Sequence, residues 1–127
     1  MGESSMNEKN ILVVAIVNAG FVDLVMDAAR EAGATGGTVI HGRGTGNKNI
    51  AQTFGIVISP NKEVVLIVIP ESIHERVVNA VYKNAGLDAP SQGIIFTLPL
   101  DRVAGLSGFD IQEENKNEEV DITDEQE

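Results

Sequence analysis

The chain has 127 residues and a formal net charge of −10, and it contains no cysteine. This length predicts one domain with a single core, because chains divide into several domains only at larger sizes. The absence of cysteine excludes disulfides, thiolate metal sites and cysteine nucleophiles, and it fits a reducing compartment. No apolar run is long enough to span a membrane and the N-terminus does not resemble a signal peptide, so we expect a cytoplasmic protein without membrane insertion.

The acidic charge is concentrated in the last part of the chain. Residues 111–127 hold eight acidic side chains and one basic one, whereas residues 1–110 hold eleven acidic and eight basic ones. The acidic segment has too little apolar area to offset its ordering entropy, which predicts a disordered tail, with an acidic interaction arm or a mimic of nucleic acid as the alternatives. Residues 1–9 are predicted to be a disordered extension, so the folded domain covers residues 10–110. That domain has no basic face, and we expect no nucleic-acid partner.

The first predicted elements are a strand, a helix and a second strand. Residues 11–17 are all apolar, which is typical of a strand covered on both faces. A turn at 18–20 leads to a helix over about 21–32, where apolar residues recur at helical spacing. Gly33 stands where a C-terminal cap is expected, and a second strand is predicted over about 37–43.

The same order of elements is then predicted a second time. An aliphatic strand over 64–69 is stopped by Pro70, a helix from about residue 71 ends at Gly86, and a last strand covers 93–98. Two β-α-β units with short helices predict an α+β ferredoxin-like sandwich, with both helices on one face of an antiparallel sheet.

One face of this predicted sheet has no helix to cover it. Its strands are apolar at nearly every position, and an exposed face of that kind is larger than the apolar patches that soluble monomers usually carry. Self-association would cover the face. We therefore expect self-association, and a homotrimer, a closed ring with the sheets facing inward, is one arrangement that would achieve it.

Glycines at alternate positions follow the second predicted strand, at Gly42, Gly44 and Gly46. Such a stretch lets the backbone come close to a ligand or to a neighbouring subunit. It lacks the Gly-Lys-Ser/Thr of a Walker A loop and the spacing and helix of a dinucleotide fingerprint. Read alone, it is most simply a tight turn.

Several segments in this order resemble the PII signal-transduction family. They are Ala32–Val39 (AGATGGTV), Gly44–Gly46 (GTG), the aliphatic strand ending at Pro70, Gln92–Phe96 (QGIIF) and Asp101–Val103 (DRV). The resemblance extends from residue 10 to about residue 107. It implies a trimer of ferredoxin-like subunits that is not an enzyme and that senses ATP or ADP in clefts between neighbours. It also implies a protein target, such as a transporter, an enzyme or a regulator, in nitrogen or related metabolism.

The resemblance also implies a nucleotide site. Its residues would be Thr35 beside the adenine, Gly44, Gly46 and Lys48 at the base of a long loop, Lys62 near the phosphates, and Gln92 and Gly93 in a second phosphate-facing loop. These residue types suit the chemistry, because glycine amides can surround phosphate oxygens and a lysine adds a point charge.

The sequence departs from the family pattern at several of its cations. Ile94 stands where a lysine is usual, and Gly105 and Ser107 stand where an arginine pair is usual, so only Arg102 is nearby. The loop at 47–61 is short, is predicted to be mobile, and has no tyrosine for uridylylation. An alternative is a PII-like or copper-tolerance-like trimer that binds another small molecule or anion without nucleotide, although the lack of cysteine and of a histidine pair disfavours copper.

Two histidines are the remaining candidates for chemistry. His41 lies at the end of the second strand and is most simply a structural histidine, with a ligand contact as the alternative. His74 has Glu71 and Glu75 nearby but no second histidine at metal-ligand spacing, so we predict no metal site. No nucleophile and base can be paired, so we expect no catalytic residue.

Overall fold

The computed structural model describes residues 8–45 and 60–106. In chain order its elements are β1 (Asn10–Asn18), α1 (Val22–Glu31), β2 (Thr38–Arg43), β3 (Asn61–Pro70), a single 3-10 turn (Glu71–Ile73), α2 (His74–Asn84) and β4 (Gly93–Leu100). The disorder predicted for 111–127 and for most of 1–9 falls outside the described residues, as does most of the loop predicted to be mobile over 47–61.

The four strands form one antiparallel sheet in the order β2-β3-β1-β4. β1 lies between β3 and β4, and its residue Val14 is opposite Leu66 on one side and Phe96 on the other. The element order βαββαβ on such a sheet is the predicted α+β ferredoxin-like fold, which the structure confirms.

Three strands are longer than the sequence predicts. β1 extends by one residue at each end. β3 begins at Asn61 and therefore includes Lys62, which lies before the predicted strand over 64–69. β4 continues through Pro99 to Leu100. A proline is tolerated there because β4 is an edge strand, where a missing N–H removes no bond to an outer neighbour.

The helix ends confirm the predicted glycine caps. Gly33 follows α1 with φ of 117°, and Gly86 follows α2 with φ of 71°, a conformation that glycine adopts without strain. Each glycine is followed by the 6→1 hydrogen bond of a Schellman motif. These bonds run from the Ala34 amide to the Ala29 carbonyl at 2.9 Å and from the Leu87 amide to the Tyr82 carbonyl at 3.0 Å.

The core lies between the helices and one face of the sheet, which we call the covered face. Alternate strand residues from β1 and β3 point toward α1 and α2. The fully buried members of this core include Val13, Val17, Val65 and Ile67 from the strands and Val25, Val77 and Val81 from the helices. Successive side chains of a strand point to opposite faces of the sheet, so every second residue of these apolar strands packs against the helices.

The other face, which we call the open face, carries apolar side chains without a covering layer in the described residues. Ile40, Ile94, Phe96 and Leu98 are 49%, 57%, 42% and 44% exposed. Val14 is buried at the centre of this face because its cross-strand neighbours surround it. Within the described residues, the expectation that one apolar face lacks a helix is therefore confirmed.

Across residues 8–45 and 60–106, neither helix combines the length and the apolar composition that a membrane crossing requires.

Candidate functional site

Polar side chains and glycines meet at one corner of the sheet, where β1 and β2 end and β3 and β4 begin. We call it the polar corner and define it by Asn18, Gly44, Lys62, Gln92 and Gly93. The strand register brings these residues together, because Lys62 is opposite Asn18 on one side and Gly42 on the other, and Gly93 is opposite Val17. Residues separated by up to 75 positions in sequence thus share one small surface.

Lys62 is held by a side chain of the neighbouring strand. Its Nζ donates a hydrogen bond to Oδ1 of Asn18 over 2.5 Å, and both side chains are half-buried. Because the two residues are cross-strand partners, their side chains leave the sheet on the same side. That side is the open face, at the end of its apolar stripe.

Asn18 also holds the segment that precedes β4. Its Nδ2 donates to the carbonyl oxygen of Ser91 at 3.1 Å and to Oε1 of Gln92 at 3.2 Å. Ser91 has a φ of 63°, a left-handed conformation that is uncommon for a residue with a side chain. The Asn18 amide therefore stabilises a tight turn that leads directly into Gly93.

The two glycines of the corner allow close backbone approach. A Cβ on Gly44 would lie 2.7 Å from Cε of Lys62, and a Cβ on Gly93 would collide with the carbonyl oxygen of Ile16. The Gly44 amide donates to the Pro60 carbonyl at 2.7 Å, which extends the β2–β3 pairing by one bond. Gly93 also has a φ of 152°, so both its space and its conformation favour glycine.

The corner is suited to binding an anion. A lysine ammonium has three donors and no acceptor, and the bond to Asn18 uses one of them. Asn18 is neutral, so it orients the ammonium without cancelling its charge. A phosphate or carboxylate oxygen would form a charge-assisted hydrogen bond with the remaining donors.

Comparisons with known proteins agree with this architecture. The family model described as nitrogen regulatory protein P-II matches residues 10–108. The chain belongs to the PII family. Among solved structures, Arabidopsis thaliana PII bound to citrate is 26% identical, with a TM-score of 0.61, over 80% of this chain and 83% of that chain. The search of curated proteins found no match.

Four of the seven residues that the PII resemblance implicates meet at the polar corner, namely Gly44, Lys62, Gln92 and Gly93. Thr35 is exposed in the connection before β2, whereas the corner is reached only at the end of β2. Five residue steps along β2 alone correspond to about 17 Å, so Thr35 does not join the corner within one chain. Gly46 and Lys48 lie outside the described residues.

The departures from the PII cation pattern are visible in the fold. Ile94, next to Gly93, exposes 57% of its surface on the open face. Arg102 follows the far end of β4. It lies in the segment Pro99–Val103, which lines a cleft of about 600 Å³ together with Glu8–Asn10. Since β4 runs from the polar corner to this cleft, Arg102 and Lys62 lie at opposite ends of the same subunit.

The two histidines make local contacts. Nδ1 of His41 lies 3.1 Å from Oε2 of Glu63, while the His41 side chain is 84% exposed. Nε2 of His74 is 3.2 Å from the Thr97 hydroxyl oxygen, which links the start of α2 to β4. Among the residues the structure describes, no three His, Asp or Glu side chains are grouped in a way that could hold a metal ion.

Asn18 is a member of the site that the sequence does not predict, because its position before Ala19 and Gly20 indicates a turn. The available signal was a carboxamide at the end of an otherwise apolar strand. Its importance depends on the β1–β3 register that places it opposite Lys62, and a single sequence does not specify that register.

Proposed function

We propose that this PII-family chain is a non-catalytic regulatory protein that binds an adenine nucleotide, ATP or ADP, at the polar corner and thereby regulates a partner protein. The observation that carries the proposal is the Lys62 ammonium, which Asn18 holds beside Gly44 without neutralising it. Phosphate oxygens are the ligands that such a lysine would recognise, and the neighbouring glycine leaves room for them beside the backbone.

We further propose that the site is completed by a second copy of the chain in a homotrimer. Two arguments support this. The open face carries exposed apolar side chains that a neighbouring copy would cover. In addition, Thr35 and Arg102 lie away from the corner of their own subunit, so they would contribute to a ligand there only from a neighbour.

A different anion is the second candidate ligand. The apolar Ile94 beside Gly93 reduces the positive charge available for a triphosphate. The PII structure from Arabidopsis thaliana carries citrate, a polycarboxylate. A carboxylate needs the same donors as a phosphate but fewer of them. If the ligand is such an anion, the protein has the same regulatory role but does not bind nucleotide.

Calorimetric titration of the full chain with ATP, ADP, AMP and citrate tests both versions. Lys62→Ala removes a charge-assisted contact worth about 1.5–3 kcal/mol. The dissociation constant should therefore rise roughly 10- to 100-fold. The loss should be larger for ATP than for AMP, because the longer phosphate chain reaches the lysine.

Lys83→Ala is the matched control, because Lys83 is an exposed lysine in the last turn of α2. It should leave every affinity unchanged. Binding of citrate but not of nucleotide would favour the second candidate. An unaltered affinity for ATP and for citrate in a folded Lys62→Ala protein would rule out the polar corner as the site.

A further inference from the structure

We infer that Asn18 is the positioning residue of the proposed anion site, because one neutral side chain both orients the Lys62 ammonium and fixes the segment before Gly93. The inference rests on the proposed function and adds a residue that does not itself need to touch the ligand. Three hydrogen bonds carry it, one accepted from Lys62 and two donated to the Ser91–Gln92 segment.

The direction of this hydrogen-bond chain follows from the chemistry of lysine. An ammonium can only donate, so the oxygen of the Asn18 amide must face Lys62. The amide nitrogen must then face the Ser91 carbonyl and the oxygen of Gln92. The amide orientation of Gln92 is fixed in turn, with its nitrogen at the far end of the chain. Lys62 thus determines the orientation of both carboxamides.

Asn18 holds Lys62 in place without neutralising its charge. Among the described residues the salt bridges involve only His41 and His74, so no carboxylate is paired with Lys62. An amide in that place keeps the full positive charge for a ligand, which an aspartate at position 18 would cancel.

The location of Asn18 suits such a role. It ends β1, one of the two inner strands of the sheet, and it is paired with Lys62 of β3. Sites supported from rigid strands keep their geometry better than sites built on loops alone. Asn18 also joins segments 44 and 73 residues away in sequence, and these are the two sides of the polar corner.

The test is a double-mutant cycle on the full chain, with ATP and citrate as probes. Asn18→Leu keeps the side-chain volume but removes all three hydrogen bonds. We expect it to weaken binding by about tenfold alone and by about threefold when Lys62 is already alanine, because it acts partly through that lysine and partly through the segment before Gly93. Asn79→Leu, on the exposed side of α2, is the control and should change nothing. Fully additive losses would overturn the inference.

A second measurement does not depend on any ligand. In the unliganded protein, NMR of the lysine ammonium groups should show the Lys62 protons protected by their bond to Asn18. Asn18→Leu should abolish that protection, whereas Asn18→Asp should keep it while weakening anion binding as strongly as Lys62→Ala. If Asn18→Leu does not fold, Asn18→Ala takes its place.

The two measurements separate the inference from the function on which it rests. If the wild-type protein binds neither ATP nor citrate, the proposed function fails, and the ammonium signal still decides whether Asn18 positions Lys62. Protection that is unchanged in the folded Asn18→Leu or Asn18→Ala protein would overturn the positioning role.

Discussion

The covered and open faces of the sheet are built from alternate residues of the same strands, and within residues 8–45 and 60–106 only one of them is covered by other parts of the chain. On β3, Ile67 is fully buried under the helices, while its neighbour Leu66 on the open face is half-buried. Both faces are apolar, so hydrophobicity alone does not distinguish them. The difference shows that this sequence specifies two apolar layers, one of which it fills with its own helices.

The largest effect should come from placing a charge on the open face. Phe96→Asp puts a carboxylate where we propose that a neighbouring copy packs, and burying an unpaired charge costs several kcal/mol. We expect the assembly to dissociate to a single chain of 13.5 kDa, measured by light scattering.

Tyr82→Asp is the matched control for that experiment. Tyr82 is 45% exposed and Phe96 is 42% exposed, but Tyr82 lies on α2, on the helical side of the sheet. Its substitution should leave the mass unchanged. A wild-type protein that already has the mass of one chain at micromolar concentration would contradict the proposal that a neighbouring copy covers the open face.

Adjacent positions on β3 provide the second comparison. Ile67→Ala should lower the free energy of unfolding by about 2–5 kcal/mol at any protein concentration, because it leaves a cavity in the core of one chain. Leu66→Ala should instead act mainly on association, so its effect should depend on protein concentration. Denaturant unfolding at several concentrations measures both. Equal concentration dependence for the two variants would mean that the two faces do not differ as proposed.

Two glycines offer the smallest and sharpest comparison. A Cβ on Gly37 would lie 3.0 Å from the Leu66 carbonyl oxygen and 3.2 Å from Sδ of Met26, whereas one on Gly42 would meet only Val64, at 3.9 Å. Gly37→Ala should therefore destabilise by about 1–3 kcal/mol through overpacking. Gly42→Ala should be neutral or stabilise by up to about 1 kcal/mol, since it restricts the unfolded chain. Thermal unfolding of the two variants measures both effects. A stabilised Gly37→Ala protein would show that the atoms around Gly37 can move to make room for the methyl group.

Much of the fold could be predicted from the sequence because its signals are local. Continuous apolar runs predicted the strands, helical periodicity predicted the helices, and the glycines after each helix predicted the caps. The start of β3 was missed because Asn61, Lys62 and Glu63 are polar, and their strand conformation comes from pairing with β1 and β2. The start of β3 is therefore set by pairing with the neighbouring strands and not by the strand propensity of its first residues.

The candidate site could be predicted only in part. Lys62 and the glycines were found through the family resemblance, which specifies residue types at particular spacings. The role of Asn18 depends on hydrogen bonds to segments 44 and 73 residues away. No periodicity or motif contains that information, because it arises only when the register of three strands is fixed.

The central position of β1 also affects how the chain can fold as it is synthesised. β1 is made first among the strands, yet it pairs with β3 and with β4, and its residue Asn10 is opposite Leu100. One edge of this apolar strand can pair as soon as β3 has been made, but the other edge remains unpaired until nearly the whole domain has left the ribosome. Such long-range pairing slows folding and exposes strand edges that can aggregate. Release of the completed β4, rather than of either helix, should be the moment at which the nascent chain becomes protected from aggregation and proteolysis.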